Sequence, residues 1–182
     1  MALKSTIFKA EINVADMDRH HYQTHAITIA RHPSENDERM MVRVVAFGLN
    51  ADEALSFGKG LSSTEEAALW RKDLTGAVEQ WIEVGLPDAR VLKKAASRAR
   101  ELIVYAYGGR SVGLWWAQQR DELARLTNLR VIELPAEATT ALGRIAARGM
   151  SLQCTVQEGQ VWLGDANDTV HFEPRVLFPA AD

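Results

Sequence analysis

The stretch Val78-Glu79-Gln80-Trp81-Ile82-Glu83-Val84-Gly85-Leu86-Pro87-Asp88 alternates side chains and then breaks at Gly85-Leu86-Pro87, as a strand running into a turn does. Alternation sends Val78, Ile82 and Val84 to one face and Glu79, Trp81 and Glu83 to the other. Asp88 can cap a helix over 88–100, in which Val91, Leu92, Ala95, Ala96 and Ala99 share an arc while Arg90, Lys93, Lys94, Arg98 and Arg100 spread over the other side. Downstream the pattern repeats: a strand over 102–107, a helix over 111–126, a strand over 129–134 and a helix over 137–148. Such alternation marks crossover units with partly parallel strands, and it predicts an α/β fold (α+β mixed sheet).

The flanks are strand-rich. Residues 6–14 alternate cleanly, with Phe8, Ala10, Ile12 and Val14 on one side, and 22–30 carry a second strand. The polar, basic link 15–21 predicts that the two pair as an antiparallel hairpin. His32-Pro33-Ser34 follows, where Ser34 can cap a helix running to about Asn50, with Asp37 three residues on. Residues 54–58 are a short apolar piece and 62–73 read as a polar link. Residues 151–156 and 160–163, joined through Glu158-Gly159, form a second hairpin, and 170–172 add a strand.

With 182 residues, 47% of them hydrophobic and 25% charged, the chain is expected to form one domain over 1–182 with a substantial core. It holds no apolar run of the roughly 20 residues that a membrane span needs, and its start lacks a signal-peptide pattern, so a cytoplasmic location is expected. The single cysteine, Cys154, excludes an internal disulfide and fits a small core side chain between Leu152 and Val156. A net charge of -3 argues against coating nucleic acid by bulk electrostatics, so any such contact must come from a local patch.

Two acids stand where acids are costly. At about 100° per residue, Val42, Leu49, Val45 and Met41 fall within about 60° of Glu38 on the helical wheel, which places Glu38 in an apolar stripe. A carboxylate there must be paired, protonated or bound to a cation, and Arg39 or Arg43 is the alternative to a functional role. Glu35, Asp37 and Arg39 are expected in a solvated first turn. On the strand, Glu79 and Glu83 flank Trp81 with α-carbons about 13 Å apart, so at most one of them can be a direct ligand of a given metal. Glu83, near the strand's C-terminal end, is the preferred one.

Weaker signals surround these. His20, His21 and His25 lie in and beside the hairpin link without metal-ligand spacing and read as surface residues. Gly108-Gly109-Arg110-Ser111 can hold an anion at a helix N-terminus or be simply a turn. Trp115 and Trp116 point about 100° apart, so one belongs to the core and the other to a surface.

Ala30-Arg31-His32-Pro33-Ser34-Glu35 running into Glu38-Arg39-Met40-Met41, then Trp81-Ile82-Glu83-Val84-Gly85-Leu86-Pro87-Asp88 with Lys93-Lys94-Ala95, resemble the YaeQ family. The resemblance continues through Leu114-Trp115-Trp116, Thr155-Val156-Gln157 and Val161-Trp162-Leu163 and covers essentially the whole chain. It implies a variant of the PD-(D/E)XK restriction-endonuclease-like core, with an N-terminal β-hairpin and C-terminal strands added. Carried onto this sequence, Glu38 resembles the helical acid and Glu83 the acid of the (D/E)XK element. Lys93 or Lys94 resembles a lysine displaced into the next helix. Gly85 stands where the motif lysine would be, and the upstream proline-aspartate pair is not legible, which leaves Asp73 or Glu79 as the strand acid. Asp73 precedes Glu83 by a hairpin-like interval that would bring it closer than Glu79.

The implied activity is a Mg²⁺-dependent phosphodiesterase acting on DNA or RNA, a hydrolase. Glu38, Asp73 and Glu83 would hold the ion, a lysine would support the transition-state charge, and Arg90, Arg98 and Arg110 would contact phosphates. The alternative keeps the fold without the chemistry: a degenerate nuclease-like module that binds nucleic acid or a protein partner and regulates gene expression.

Overall fold

The computed structural model describes residues 4–59 and 65–179. Among these described residues, two sheets and four helices are arranged in layers. In the first sheet, β1 (Thr6–Asp16) and β2 (His21–Arg31) form the expected antiparallel hairpin, in register from Thr6↔Arg31 to Asp16↔His21. β8 (Gly149–Gln157) joins the other side of β1 in parallel, and β9 (Gln160–Gly164) and β10 (Thr169–Phe172) complete the order β10-β9-β8-β1-β2. The β8–β9 turn is made by Glu158 and Gly159, both at positive φ (50° and 75°), the conformation that a tight hairpin of this hand requires.

The second sheet has the order β11-β7-β6-β5-β4-β3. Its centre is parallel: β5 (Val78–Val84), β6 (Ala99–Ala106) and β7 (Leu129–Glu133), connected by α2 (Ala89–Arg98) and α3 (Arg110–Leu123). Antiparallel strands close its edges: β4 (Leu69–Lys72) and β3 (Leu55–Phe57) on one side, β11 (Arg175–Phe178) on the other. Within the segment read as a polar link, 62–64 lie outside the described residues and Leu69–Lys72 is strand. The mixed sheet and the helix–strand alternation agree with the expectation from sequence.

Helix α1 (Asp37–Leu49) lies between the two sheets, beside α4 (Ala136–Arg144). One core unites the inner faces of both sheets with α1 and α4, from Ile12, Ile29 and Leu152 to Ile82, Ile103 and Ile132. A second core lies on the far side of the second sheet, where Trp81, Leu102, Val104 and Val131 meet α2 and α3 through Leu92, Val112 and Trp115. Being covered by sheets on two sides, α1 is buried without interruption from Met40 to Gly48. Gly48 is where it approaches β8: a Cβ there would lie 3.0 Å from Cys154 Sγ.

The start of α1 differs from the expectation. Asn36, not Ser34, is the N-cap, its side chain accepting from Arg39 N at 2.8 Å. Ser34 is used in the preceding turn, where its Oγ lies 2.7 Å from His32 Nδ1 and Glu35 N donates to His32 O. Of the residues expected in a solvated first turn, Asp37 keeps a half-exposed side chain that pairs with Arg31, whereas Glu35 is buried.

Candidate functional site

Of the expected acids, Glu38 and Glu83 lie near the pole of the second sheet formed by the C-terminal ends of β5 and β6, where α1 begins. Glu83 is fully buried at 0% exposure. Its Oε1 accepts the Trp81 indole N–H at 2.7 Å, and its Oε2 has no hydrogen-bond partner among the described residues. Burial pushes its carboxyl up to about 7; the indole hydrogen bond and the charge of Arg39 oppose that shift only in part.

Arg39 links this carboxyl to a cluster at the start of α1. It pairs with Glu35, which also receives Arg43 Nε at 3.0 Å and Nη2 at 2.5 Å. Arg43 is itself completely buried and donates a further bond to Ala30 O at 3.0 Å. Tyr107, just past β6, stands in the same field: burial raises its phenol to about 12, Arg39 opposes, and Glu38 and Glu35 reinforce.

Glu38 is half-buried and turns toward α4, where its Oε2 accepts from Thr139 Oγ1 and Thr140 Oγ1, each at 3.2 Å. Gly143 allows the helices to meet there, since a Cβ on it would lie 3.2 Å from Glu38 Cα. Glu38 and Glu83 therefore start from opposite faces of the sheet. Glu83 shares the Trp81 face against α2 and α3, while α1 packs on the Ile82 and Val84 face.

The other expected site residues are dispersed. Asp73 sits in the β4–β5 turn and accepts from Thr75 Oγ1 at 2.6 Å, Thr75 N at 2.8 Å and Ala77 N at 3.0 Å. The Thr75 hydroxyl and these amides hold its carboxyl below the usual range. The turn stands at the start of β5 and Glu83 near its end, about 17 Å away by strand rise, so the hairpin interval does not bring Asp73 closer. Glu79 pairs with Arg71 across β4 at 3.0 Å. Lys93 bonds Glu122 of α3 at 2.8 Å, and Lys94 bonds Glu65 at 3.0 Å, with Arg98 3.4 Å from the same carboxylate. Arg90 and Arg110 are exposed at the starts of α2 and α3. Trp115 Nε1 donates to Pro87 O at 2.7 Å, which ties these two helix starts together.

What lies beside Glu83 decides the metal question. β4 ends at Leu69, opposite Ile82, and the segment leading into it, Ala67-Ala68, is buried at 1% exposure, with Ala67 in the same core as Trp81. Among the described residues no group of three or more His, Cys, Asp or Glu side chains is placed to hold a metal. A Mg²⁺ ion takes several oxygens, so one unpartnered carboxylate oxygen beside two alanines does not fit it.

The histidines also depart from the surface expectation. His20 is in the turn, but His21 and His25 lie on β2 with their Nε2 atoms 2.9 Å apart and their rings stacked. His25 is buried against the edge of Phe47, and burial, then His21, pull its pKa down. The buried Glu35–Arg43 pair was missed in the sequence, although Arg43 inside the apolar run Met40-Met41-Val42-Arg43-Val44-Val45 was its signal.

The same layered fold occurs in solved proteins. The crystal structure of YaeQ protein from Xanthomonas axonopodis pv. citri superposes with a TM-score of 0.91 at 44% identity, covering 95% of this chain and 98% of that one. YaeQ protein from Pseudomonas syringae superposes with a TM-score of 0.91 at 35% identity, covering 97% of each chain. Among curated proteins, YaeQ of Salmonella typhi is 43% identical over 173 residues, 95% of this chain and 96% of that protein. YaeQ of Escherichia coli (strain K12) is 42% identical over 165 residues, 91% of each. The family model described as YaeQ protein matches residues 1–174, and with it the motifs around Glu38 and Glu83 are accounted for: the chain belongs to the YaeQ family.

Proposed function

We propose that this domain is a PD-(D/E)XK-like module in which metal-dependent hydrolysis has been lost and binding to nucleic acid retained, in the service of gene regulation. One observation carries the reading. The buried segment entering β4 beside the end of β5 is Ala67-Ala68, so the carboxylate pair that would share an ion is reduced to one member. Glu83 instead sits in apolar surroundings as a carboxyl that readily keeps its proton. The support for a polyanionic partner is the local arrangement at this pole. Exposed Arg90 and Arg110 begin α2 and α3, and helix N-termini favour phosphate. The net charge of -3 limits such contact to this patch.

Fluorescence anisotropy with labelled single-stranded and duplex DNA and RNA, titrated with salt, tests the reading. The expected result is salt-sensitive binding without cleavage in Mg²⁺ or Mn²⁺, weakened by Arg90→Glu and Arg110→Glu. Absence of binding to every form overturns it. The unpartnered Oε2 of Glu83 favours a second reading, the Mg²⁺-dependent phosphodiesterase. Metal-dependent cleavage that disappears in Glu83→Gln would establish that reading in place of the first.

A further inference from the structure

A cleft of about 530 Å³ opens at the opposite pole, where α1 ends and the two sheets continue past it. Because the helix stops at Leu49, the inner face of the second sheet is uncovered at the starts of β5, β6 and β7. The side chains standing there are polar: Gln80, Glu101 and Arg130, with Tyr105 deeper and Asn50 capping the helix. They form one ordered floor. Asn50 Nδ2 donates to Tyr105 Oη at 2.7 Å, and Gln80 Nε2 donates to Glu101 Oε1 at 2.9 Å.

Most charged groups of the cleft are already engaged. Arg19 donates to Leu49 O at 3.3 Å and Ala51 O at 2.9 Å, and it lies 3.6 Å from Asp16. Arg71 pairs with Glu79, and Asp18 accepts from the Glu158 and Gly159 amides. Asp52 accepts from Ala54 N at 2.7 Å and keeps its second oxygen at the rim, and three groups of the floor keep capacity as well. Arg130 makes no hydrogen bond or ion pair with the described residues, and its charge acts on Tyr105. Tyr105 accepts from Asn50 and retains its own proton to donate. Glu101 has a second carboxylate oxygen beyond the one taken by Gln80.

Two donors and a carboxylate on one sheet face define the ligand. We infer that this cleft binds a small zwitterionic molecule, its anionic group held by Arg130 and Tyr105 and its ammonium group by Glu101. The volume lies within the range of small-molecule sites, and the mixed signs of the lining disfavour a polyanion. The inference is independent of the carboxylates at the other pole.

Calorimetry and ligand-observed NMR on the full chain test it, with the linear ω-amino acids from glycine to 6-aminohexanoate as probes. Their charge separation grows with each methylene. At least one length is expected to bind, with Arg130→Gln and Glu101→Gln each weakening it about tenfold or more and Arg90→Glu leaving it unchanged. Thermal melting without ligand checks the fold of each variant, and the exposed Arg130→Gln decides the matter if Glu101→Gln does not fold. No binding at any length, or binding that survives Arg130→Gln, overturns the inference. Inorganic phosphate binding as tightly as the best amino acid overturns it too, because the cleft would then be an anion site only.

Discussion

Glu83→Gln removes a titration from the interior while keeping the shape of the side chain, and an acceptor remains for the Trp81 indole. Raising a carboxyl from its ordinary 4.5 to about 7 means that the folded state holds the proton more tightly than the unfolded chain. Between those two values the folded protein carries more bound protons. Stability therefore falls as pH rises through the window, and the loss is complete above about 7. At about 1.4 kcal/mol per tenfold change in proton affinity, the whole effect is about 3 kcal/mol, of which about 2.5 kcal/mol falls between about pH 5 and about pH 8. Glu83 is entirely buried, so solvent screening does not reduce this figure.

Urea denaturation followed by tryptophan fluorescence measures it, because Trp81 is hydrogen-bonded to the group in question. With a slope of about 2 kcal/mol per molar urea, the wild-type midpoint should drop relative to that of the variant by about 1 M across this range. The difference between the two proteins is the quantity to follow. His25, whose pKa is lowered by burial, contributes stability that grows as pH rises toward its unfolded value, and this opposite trend cancels in the difference. A flat difference would refute the reasoning, since Glu83 would then be ionised throughout. If Mg²⁺ at about pH 8 restored the wild type and not Glu83→Gln, the carboxylate would be a cation ligand after all, and the binding-module proposal would fail with it.

Arg43→Met leaves Glu35 buried with Arg39 as its remaining guanidinium, and should cost about 3–5 kcal/mol in the same assay; Glu35→Leu added to it should recover most of the loss. Gly143→Ala gains about 1 kcal/mol of helix propensity but drives a methyl to 3.2 Å from the Glu38 backbone. Backbone on both sides cannot yield cheaply, so calorimetric melting should show net destabilisation of about 1–2 kcal/mol.

Periodicity carried much of this architecture because it is local. The alternation in 6–14 became β1, Glu158-Gly159 became a turn, and the helix–strand repeat after Val78 became the parallel centre of the second sheet. β4 escaped because its four residues, Leu69–Lys72, make sense only through pairing with β5, where Trp70 meets Trp81 edge-on. The candidate site was legible by residue type and not by assembly. Glu83 is legible from its strand position, but what lies beside it is decided by the packing of a distant segment, the buried Ala67-Ala68 ahead of β4. Glu38 was chosen from an apolar stripe on the assumption that α1 buries one face. With sheets on both sides little of the helix is solvated, and the buried acid at its start is Glu35.

A mismatch of lengths explains why polar chemistry gathers towards both ends of α1. Thirteen helical residues rise about 20 Å, whereas the eleven of β1 or β2 span about 36 Å, so even a helix laid along the strands leaves sheet uncovered. Inner positions beside the helix can be apolar, and they are: Ile12, Ile29, Ile82 and Ile103. Beyond its ends the same faces border water or side chains with backbone groups to satisfy, which selects residues such as Arg19 on the last carbonyls and Glu35 beneath Arg43. The two ends then differ in one physical respect. At the first, Arg39 and Arg43 fill the gap with charge paired to the buried Glu35. At the second, the paired groups line an open cleft and Arg130 stays unengaged among the described residues, so that end retains room and charge for a ligand.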